Sequence, residues 1–211
     1  MKNILFDLDG TITDSQNGII NSVIYALKKY DMDVKDRNEL KKFIGPPLAW
    51  MFSQYCGFSE EEGQKAVEVY REYYTVKGIF ENEVYDGVED MLKKLHESGA
   101  KLYLATSKPQ IYAKKILEHF GLVKYFDDIV GSELDGGRVE KDEVIACVLK
   151  KHGIKDAVMV GDRRFDMEGA KKNALTAVGV LYGYGTREEL EQAGADFIAE
   201  DVRALNEYLK Y

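Results

Sequence analysis

Four acidic residues stand where apolar runs of this chain end. Asp7 follows Asn3-Ile4-Leu5-Phe6, and Asp9 lies two residues on, within Phe6-Asp7-Leu8-Asp9-Gly10-Thr11. Strand side chains alternate with period two, so both carboxylates leave the sheet on the same side. Two carboxylates so close repel, which is costly unless a cation or a shared proton offsets it. Asp9-Gly10 alone reads as a turn, but a preceding apolar strand and a second acid favour chemistry. An EF-hand is excluded, because its glycine is sixth in the loop whereas Gly10 is fourth counting from Asp7. A second pair follows Val158-Met159-Val160-Gly161, as Asp162 and Asp166. A helix N-cap accounts for Asp162, yet it leaves Asp166 facing Asp162 across one turn with about 0.2–0.5 kcal/mol of like-charge repulsion. A hard cation such as Mg²⁺, which takes oxygen ligands, accounts for both acids. Neutralisation by Arg163 and Arg164 is the competing account.

Hydroxyls and cations complete the set. Leu102–Ala105 runs into Thr106-Ser107-Lys108-Pro109 and then a helical pattern, with Pro109 suited to the first helical turn. Hydroxyls and free N–H groups at such a junction make a phosphate site; capping by Ser107 explains the same residues. Lys141 opens a helix whose dipole it opposes, whereas Asp142 and Glu143 suit that end. A local inconsistency of this kind is where function is often found. Lys141 is placed to pair with Asp7 and neutralise a phosphate, and Lys108 is its competitor.

These residues need strand ends that converge. Six short apolar runs read as buried strands, namely Asn3–Asp7, Lys101–Thr106, Asp128–Val130, Ala157–Val160, Thr176–Val180 and Phe197–Ala199. Helical periodicity fills the intervals at Val88–His96, Ile111–Phe120, Val144–Lys151, Phe165–Lys172 and Val202–Leu209. Alternation with near-continuous apolar strands predicts a doubly wound parallel α/β sheet covered on both faces. Ligands of such sheets bind beyond the carboxyl ends of the strands. Between Asp14 and about Tyr85 the pattern is helical only, over Ile19–Tyr30, Arg37–Ile44, Leu48–Tyr55 and Glu60–Lys77. Ser59 and Glu62 form a capping-box signature, and Gly45-Pro46-Pro47 is a helix stop. The expected organisation is a core of residues 1–14 and 86–211 with an inserted all-helical domain, 15–85.

Composition narrows the partners. The chain has 211 residues, 45% hydrophobic and 31% charged, with net charge −8 and no basic block. Nucleic-acid backbone binding is therefore not expected. No apolar run reaches the roughly 18–20 residues that span a bilayer, and the amino-terminal apolar stretch is too short for a signal peptide. The expectation is a cytoplasmic protein with no membrane partner. Cys56 and Cys147 lack ligand spacing and read as small buried hydrophobes. His96, His119 and His152 all fall on amphipathic helices, so a His-centred mechanism has little to use.

Together the four segments resemble the haloacid dehalogenase superfamily. Its pattern appears here as Asp7-Leu8-Asp9-Gly10-Thr11, Thr106-Ser107, Lys141 and Gly161-Asp162 with Asp166, in order along the whole chain. The helical insertion stands where the superfamily carries its C1 cap. Ile44-Gly45-Pro46-Pro47-Leu48 and Gly179-Val180 leading to Gly183-Tyr184-Gly185 look like the phosphoglycolate-phosphatase branch. The resemblance implies a Rossmann-like core and a phosphatase acting on a small phosphorylated metabolite. Asp7 would be the nucleophile and Asp9 the acid and base. Mg²⁺ would be held by Asp7, the Asp9 carbonyl and Asp162, with Asp166 in support. Thr106, Ser107 and Lys141 would bind phosphate, and the cap, with Gly45, Pro46 and Pro47, would select the substrate and close over the site.

Departures bear on the substrate. Asp142 follows Lys141 where the family often has Pro, and Arg163-Arg164 follow Gly-Asp where Ser or Thr is common. A phosphomutase of the β-phosphoglucomutase type is disfavoured, since Ile19 stands where such enzymes carry His and the Gly45–Leu48 loop supplies no Arg. Dehalogenation has no use for Asp9. A response-regulator receiver has the same acids, Thr and Lys but about 120 residues and no helical insertion. Phosphoglycolate, nucleoside 5′-monophosphates, sugar phosphates and pyrophosphate all fit the motifs.

Overall fold

The computed structural model describes residues 2–134 and 137–210. The chain divides into two compact units, one being Ser15–Glu83 and the other the chain up to Asp14 and from Val84 onward. The second unit resumes two residues before the expected position 86, because the Tyr85 N–H already donates to the Ile12 carbonyl at 3.2 Å.

The chain opens with β1 (Asn3–Phe6) and the two-residue β2 (Thr13–Asp14), then enters the helical unit. There α1 (Gln16–Lys29), α2 (Leu48–Cys56) and α3 (Glu60–Tyr74) are joined by 3₁₀ turns at Arg37–Phe43 and Gly78–Phe80. The first of these was expected as an α-helix. Its only buried side chains, Leu40 and Phe43, are three apart, the spacing a 3₁₀ turn places on one side. Gly18 of α1 meets the later turn closely, since an added Cβ would lie 1.9 Å from the Gly78 carbonyl oxygen. Ser59 and Glu62 cap α3 reciprocally, with Ser59 N–H donating to Glu62 Oε2 at 2.8 Å. Tyr70 and Tyr74 are buried and stacked with ring centres 5.2 Å apart. They pack the unit. Gly45 (φ +105°) and Pro46 separate the first turn from α2, whose N-cap is Pro47.

The two-residue β3 (Glu83–Val84) and β2 mark the chain's passages between units, where the sequence shows no strand signal. The remaining elements are α4 (Val88–Glu97), β4 (Lys101–Pro109), α5 (Gln110–His119), a 3₁₀ turn at Val123–Tyr125, β5 (Asp128–Ser132), α6 (Lys141–His152), β6 (Val158–Gly161), α7 (Arg164–Lys172), β7 (Thr176–Val180), α8 (Arg187–Gln192), β8 (Phe197–Ala199) and α9 (Val202–Leu209). Among the described residues six strands form one sheet, ordered β5-β4-β1-β6-β7-β8. Every pairing is parallel. This is the doubly wound α/β core expected, and its order reverses at β1, where such sheets bind ligands.

Central β1 is apolar on both faces, with Ile4, Leu5 and Phe6 all fully buried. Leu5 belongs to the core cluster that Val144, Ile145 and Val148 of α6 and Met167 and Ala170 of α7 complete. Phe6 meets Phe126 edge to face, centroids 6.5 Å apart. Helix α8 escaped the sequence reading because Leu190 is its one buried side chain; the Thr186 hydroxyl, which caps the Glu189 N–H, was its available signal. Cys56 and Cys147 are half-buried free thiols rather than fully buried ones. Among the described residues no helix is long and apolar enough to cross a membrane.

Candidate active site

Asp7 is the first residue beyond β1. Phe6 pairs with Leu104 of β4 and Val160 of β6, and the Asp7 N–H still donates to the Val160 carbonyl at 2.9 Å. Its side chain therefore emerges between two neighbouring strand ends. Lys141 reaches it from the first turn of α6, with Nζ 2.7 Å from Asp7 Oδ1 and 2.8 Å from Asp166 Oδ1. The same ammonium donates to the Ala105 carbonyl at 3.1 Å. This explains a lysine at a helix start: its charge is used against two carboxylates and a strand-end carbonyl. Gly169 of α7 leaves room for the stem, because an added Cβ would lie 3.1 Å from Lys141 Cγ.

Asp162 and Asp166 come from the β6–α7 junction. Helix α7 begins at Arg164 with Arg163 as N-cap, so the N-cap reading of Asp162 is wrong. Asp166 Oδ2 accepts the Arg163 N–H at 3.1 Å. Asp162 Oδ2 accepts the Tyr184 N–H at 2.7 Å, while its Oδ1 is buried without a hydrogen-bond partner among the described residues. Gly10, at φ +82°, brings the loop after β1 against this acid, and an added Cβ there would lie 2.1 Å from Asp162 Oδ2. Arg163 is directed away, with Nε 2.8 Å from Glu189 Oε1, and Arg164 lies over the Phe165 ring. Arg163 therefore serves Glu189, while its charge still acts to lower the Asp162 carboxyl.

One oxygen each from Asp7, Asp162 and Asp166 fall within 4.8 Å of one another. Burial pushes the Asp7 carboxyl up to about 6 against the opposing pull of Lys141. Burial, then Asp166 and Asp7, push Asp162 well above the usual carboxylate range, opposed by the Tyr184 N–H. Burial acts to lower Lys141, but Asp166 and Asp7 outweigh it and hold its ammonium above the ordinary lysine value. With all three carboxylates ionised, one ammonium leaves two negative charges, which one divalent cation would balance. The buried, unpartnered Asp162 Oδ1 and the all-oxygen donor set fit a hard cation.

The other expected residues divide. Thr106 is buried and Ser107 half-buried at the end of β4. That strand runs on to Pro109, which is the N-cap of α5 rather than part of its first turn, and no side chain caps this helix. The capping explanation of Ser107 is thereby removed. The Asp9 carboxylate stands outside the acid group and binds Lys108, with Nζ 2.6 Å from Oδ2. Lys108 and Lys141 are therefore not competitors, since each holds a different aspartate. Tyr184 was legible only as part of a glycine-rich segment. Gly45, Pro46 and Pro47 belong to the helical unit.

Comparison with known proteins gives this geometry a context. Residues 4–180 match the family described as haloacid dehalogenase-like hydrolase. A 5′-nucleotidase of Pseudomonas aeruginosa is 43% identical over 210 residues, covering 99% of this chain and 95% of that protein. A Mycobacterium tuberculosis protein called tyrosine-protein kinase PtkA is 34% identical, covering 98% and 72%. A phosphoglycolate phosphatase of Vibrio parahaemolyticus is 27% identical, covering 98% and 95%. The crystal structure of a predicted phosphatase from Clostridium acetobutylicum superposes with a TM-score of 0.96 at 48% identity, covering 99% and 98%.

Proposed function

The chain belongs to the haloacid dehalogenase-like hydrolases, and from that membership we propose that it is a Mg²⁺-dependent phosphatase working through an aspartyl-phosphate on Asp7. Phosphatase-named relatives make it a phosphomonoester hydrolase. The observation that carries the finer reading is the buried Asp7 carboxylate, held by Lys141 at 2.7 Å beside Asp162 and Asp166. Asp7, the Asp9 carbonyl and Asp162 would hold Mg²⁺, with Asp166 in support; when bound, the ion supplies positive charge beside the phosphoryl oxygens.

Asp7 attacks phosphorus as the ester P–O bond breaks, and the departing alcohol oxygen takes a proton from Asp9. Water then gives a proton to Asp9 and attacks the same phosphorus. The Asp7–phosphorus bond breaks, inorganic phosphate leaves, and both aspartates return to their starting state. Lys141 orients Asp7 and balances charge on the transferring group, with Thr106 and Ser107 as further phosphate contacts. Positioning and charge neutralisation supply most of the acceleration in such transfers. We assign the helical unit, with Gly45, Pro46 and Pro47, as the cap that selects the leaving group.

The 43% identical relative favours a nucleoside 5′-monophosphate as substrate over phosphoglycolate. The test is phosphate release with Mg²⁺ across nucleoside 5′-monophosphates and 2-phosphoglycolate, with Asp7→Asn alongside. Release from the nucleotides that Asp7→Asn abolishes is expected; retained turnover in that variant would remove the nucleophile. Phosphoryl transfer to tyrosine is a second reading, favoured by the kinase-named relative. Phosphate release without any acceptor protein separates the two.

A further inference from the structure

Lys108 is a buried cation that the mechanism above leaves without a task. Its side chain is 7% exposed and its ammonium lies 2.6 Å from Asp9 Oδ2, itself on a side chain only 14% exposed. The other oxygen, Asp9 Oδ1, is buried and has no hydrogen-bond partner among the described residues. The lysine thus takes one carboxylate oxygen and leaves the other for exchange with a reacting group.

The backbone is shaped to aim it there. Ala105 of β4 pairs with Val130 and Pro109 with Ser132, so four steps along β4 match two along β5 and the register shifts between them. Irregularities of this kind beside active sites re-aim a side chain. Within it the Lys108 N–H donates to Thr106 Oγ1 at 3.3 Å. Gly131 of β5 admits the displaced backbone, since an added Cβ would lie 2.4 Å from the Lys108 carbonyl oxygen and 2.7 Å from the Gln110 nitrogen. The segment that presents Thr106 to the site therefore also turns Lys108 onto Asp9.

We propose that Lys108 is a positioning residue for Asp9, holding it by Oδ2 so that Oδ1 faces the oxygen that gains or loses the proton. This rests on the acid and base role given to Asp9 above. The terminal torsion of an aspartate is broad and roughly two-fold, so an unheld Asp9 would spread its oxygens over several orientations. Misplacement by about 1 Å can cost a reaction roughly 100-fold.

The test separates orientation of Asp9 from binding of substrate. Alkyl phosphomonoesters such as nucleoside 5′-monophosphates need a proton on the departing oxygen, whereas p-nitrophenyl phosphate, with a stable phenolate, needs little help. Lys108→Met should lower kcat for the alkyl ester about 10- to 100-fold, within the range a general acid contributes. For p-nitrophenyl phosphate kcat should fall much less, with KM little changed for either, and Lys108→Arg should recover most of the loss. Gly131→Ala, which keeps the lysine but displaces its backbone, should reproduce the same selectivity, with circular dichroism confirming the fold of each variant. Equal losses on both esters, or a raised KM with kcat preserved, would overturn the proposal. Asp9→Asn distinguishes the layers: if it spares alkyl-ester turnover, the role of Asp9 is wrong. If it abolishes turnover while Lys108→Met changes nothing, only the positioning role falls.

Discussion

Replacing Lys141 by Met removes one charge and little volume, so it isolates the electrostatics of the site. In the metal-free protein that ammonium is 5% exposed and serves Asp7 and Asp166, whose side chains are 12% and 2% exposed. An exposed ion pair contributes only about 0.2–1 kcal/mol. Removing one partner of a buried pair costs about 3–5 kcal/mol, because it strands an uncompensated charge. Burial decides between these, and the expected loss is about 3–5 kcal/mol at pH 8. The pH dependence has a definite sign. Burial raises Asp7 from 3.8 to about 6, so the folded state holds its proton more tightly than the unfolded chain. The stability this contributes is full below about pH 4 and is lost as pH rises through about 6. Without Lys141 the Asp7 carboxyl loses the charge that lowers it and protonates more readily when folded, so the deficit should be larger at pH 8 than at pH 5. Urea denaturation in EDTA, followed by far-ultraviolet circular dichroism, measures it. Trp50 fluorescence is unsuited, because the single tryptophan lies in the helical unit. Adding Asp166→Asn should return part of the loss, about 1–3 kcal/mol. A deficit under about 1 kcal/mol at pH 8, or one equal at both pH values, would refute the reasoning.

Three further outcomes are expected. Chelating Mg²⁺ should abolish turnover, and restoring it at about 100 times its dissociation constant should add about 2.7 kcal/mol, roughly 5–10 °C in Tm by scanning calorimetry. Asp128 accepts from Lys151 and His152, each at 2.7 Å, and from the Ile129 N–H at 3.0 Å. Burial pushes its carboxyl up, but these bonds outweigh it and leave the group below its ordinary value. Its stabilisation is therefore present above the unfolded value and fades as pH falls through the folded one. Asp128→Asn should cost about 1 kcal/mol at pH 7 and progressively less as pH falls below about 4, read by urea titration. Gly18→Ala would set a Cβ 1.9 Å from the Gly78 carbonyl oxygen. It should destabilise the helical unit by about 1–3 kcal/mol, followed by Trp50 fluorescence.

The strands were legible because each is a short apolar run, and a sheet covered on both faces demands that pattern. Asp7, Asp162, Asp166 and Lys141 were legible because acids at strand ends and a lysine at a helix start each conflict with local electrostatics. Only a shared neighbour resolves that conflict, and the structure places the four together. Less was legible where partners lie far apart in sequence. That Arg163 serves Glu189 depends on α8, a helix with too little apolar periodicity to announce itself. The Lys108–Asp9 pair depends on a register shift between β4 and β5, which periodicity does not encode. The 3₁₀ form of Arg37–Phe43 turned on the spacing of two buried side chains, too short a pattern to separate from an α-helix.

The position of β1 also has a kinetic consequence. This central strand precedes both of its partners in the chain, with β4 and β6 following about 100 and 150 residues later. At about 5–20 residues per second, β1 waits roughly 8–30 s during synthesis for its second neighbour. Ile4, Leu5 and Phe6, fully buried at the end, have no completed sheet to enter in that interval. Ser15–Glu83 is continuous in sequence, so its first helix meets its last turn, Gly18 against Gly78, within about 60 residues. All the partners of the helical unit are therefore synthesised while the sheet is still open, and Asp7 acquires Lys141 and Asp162 only after those residues have been made.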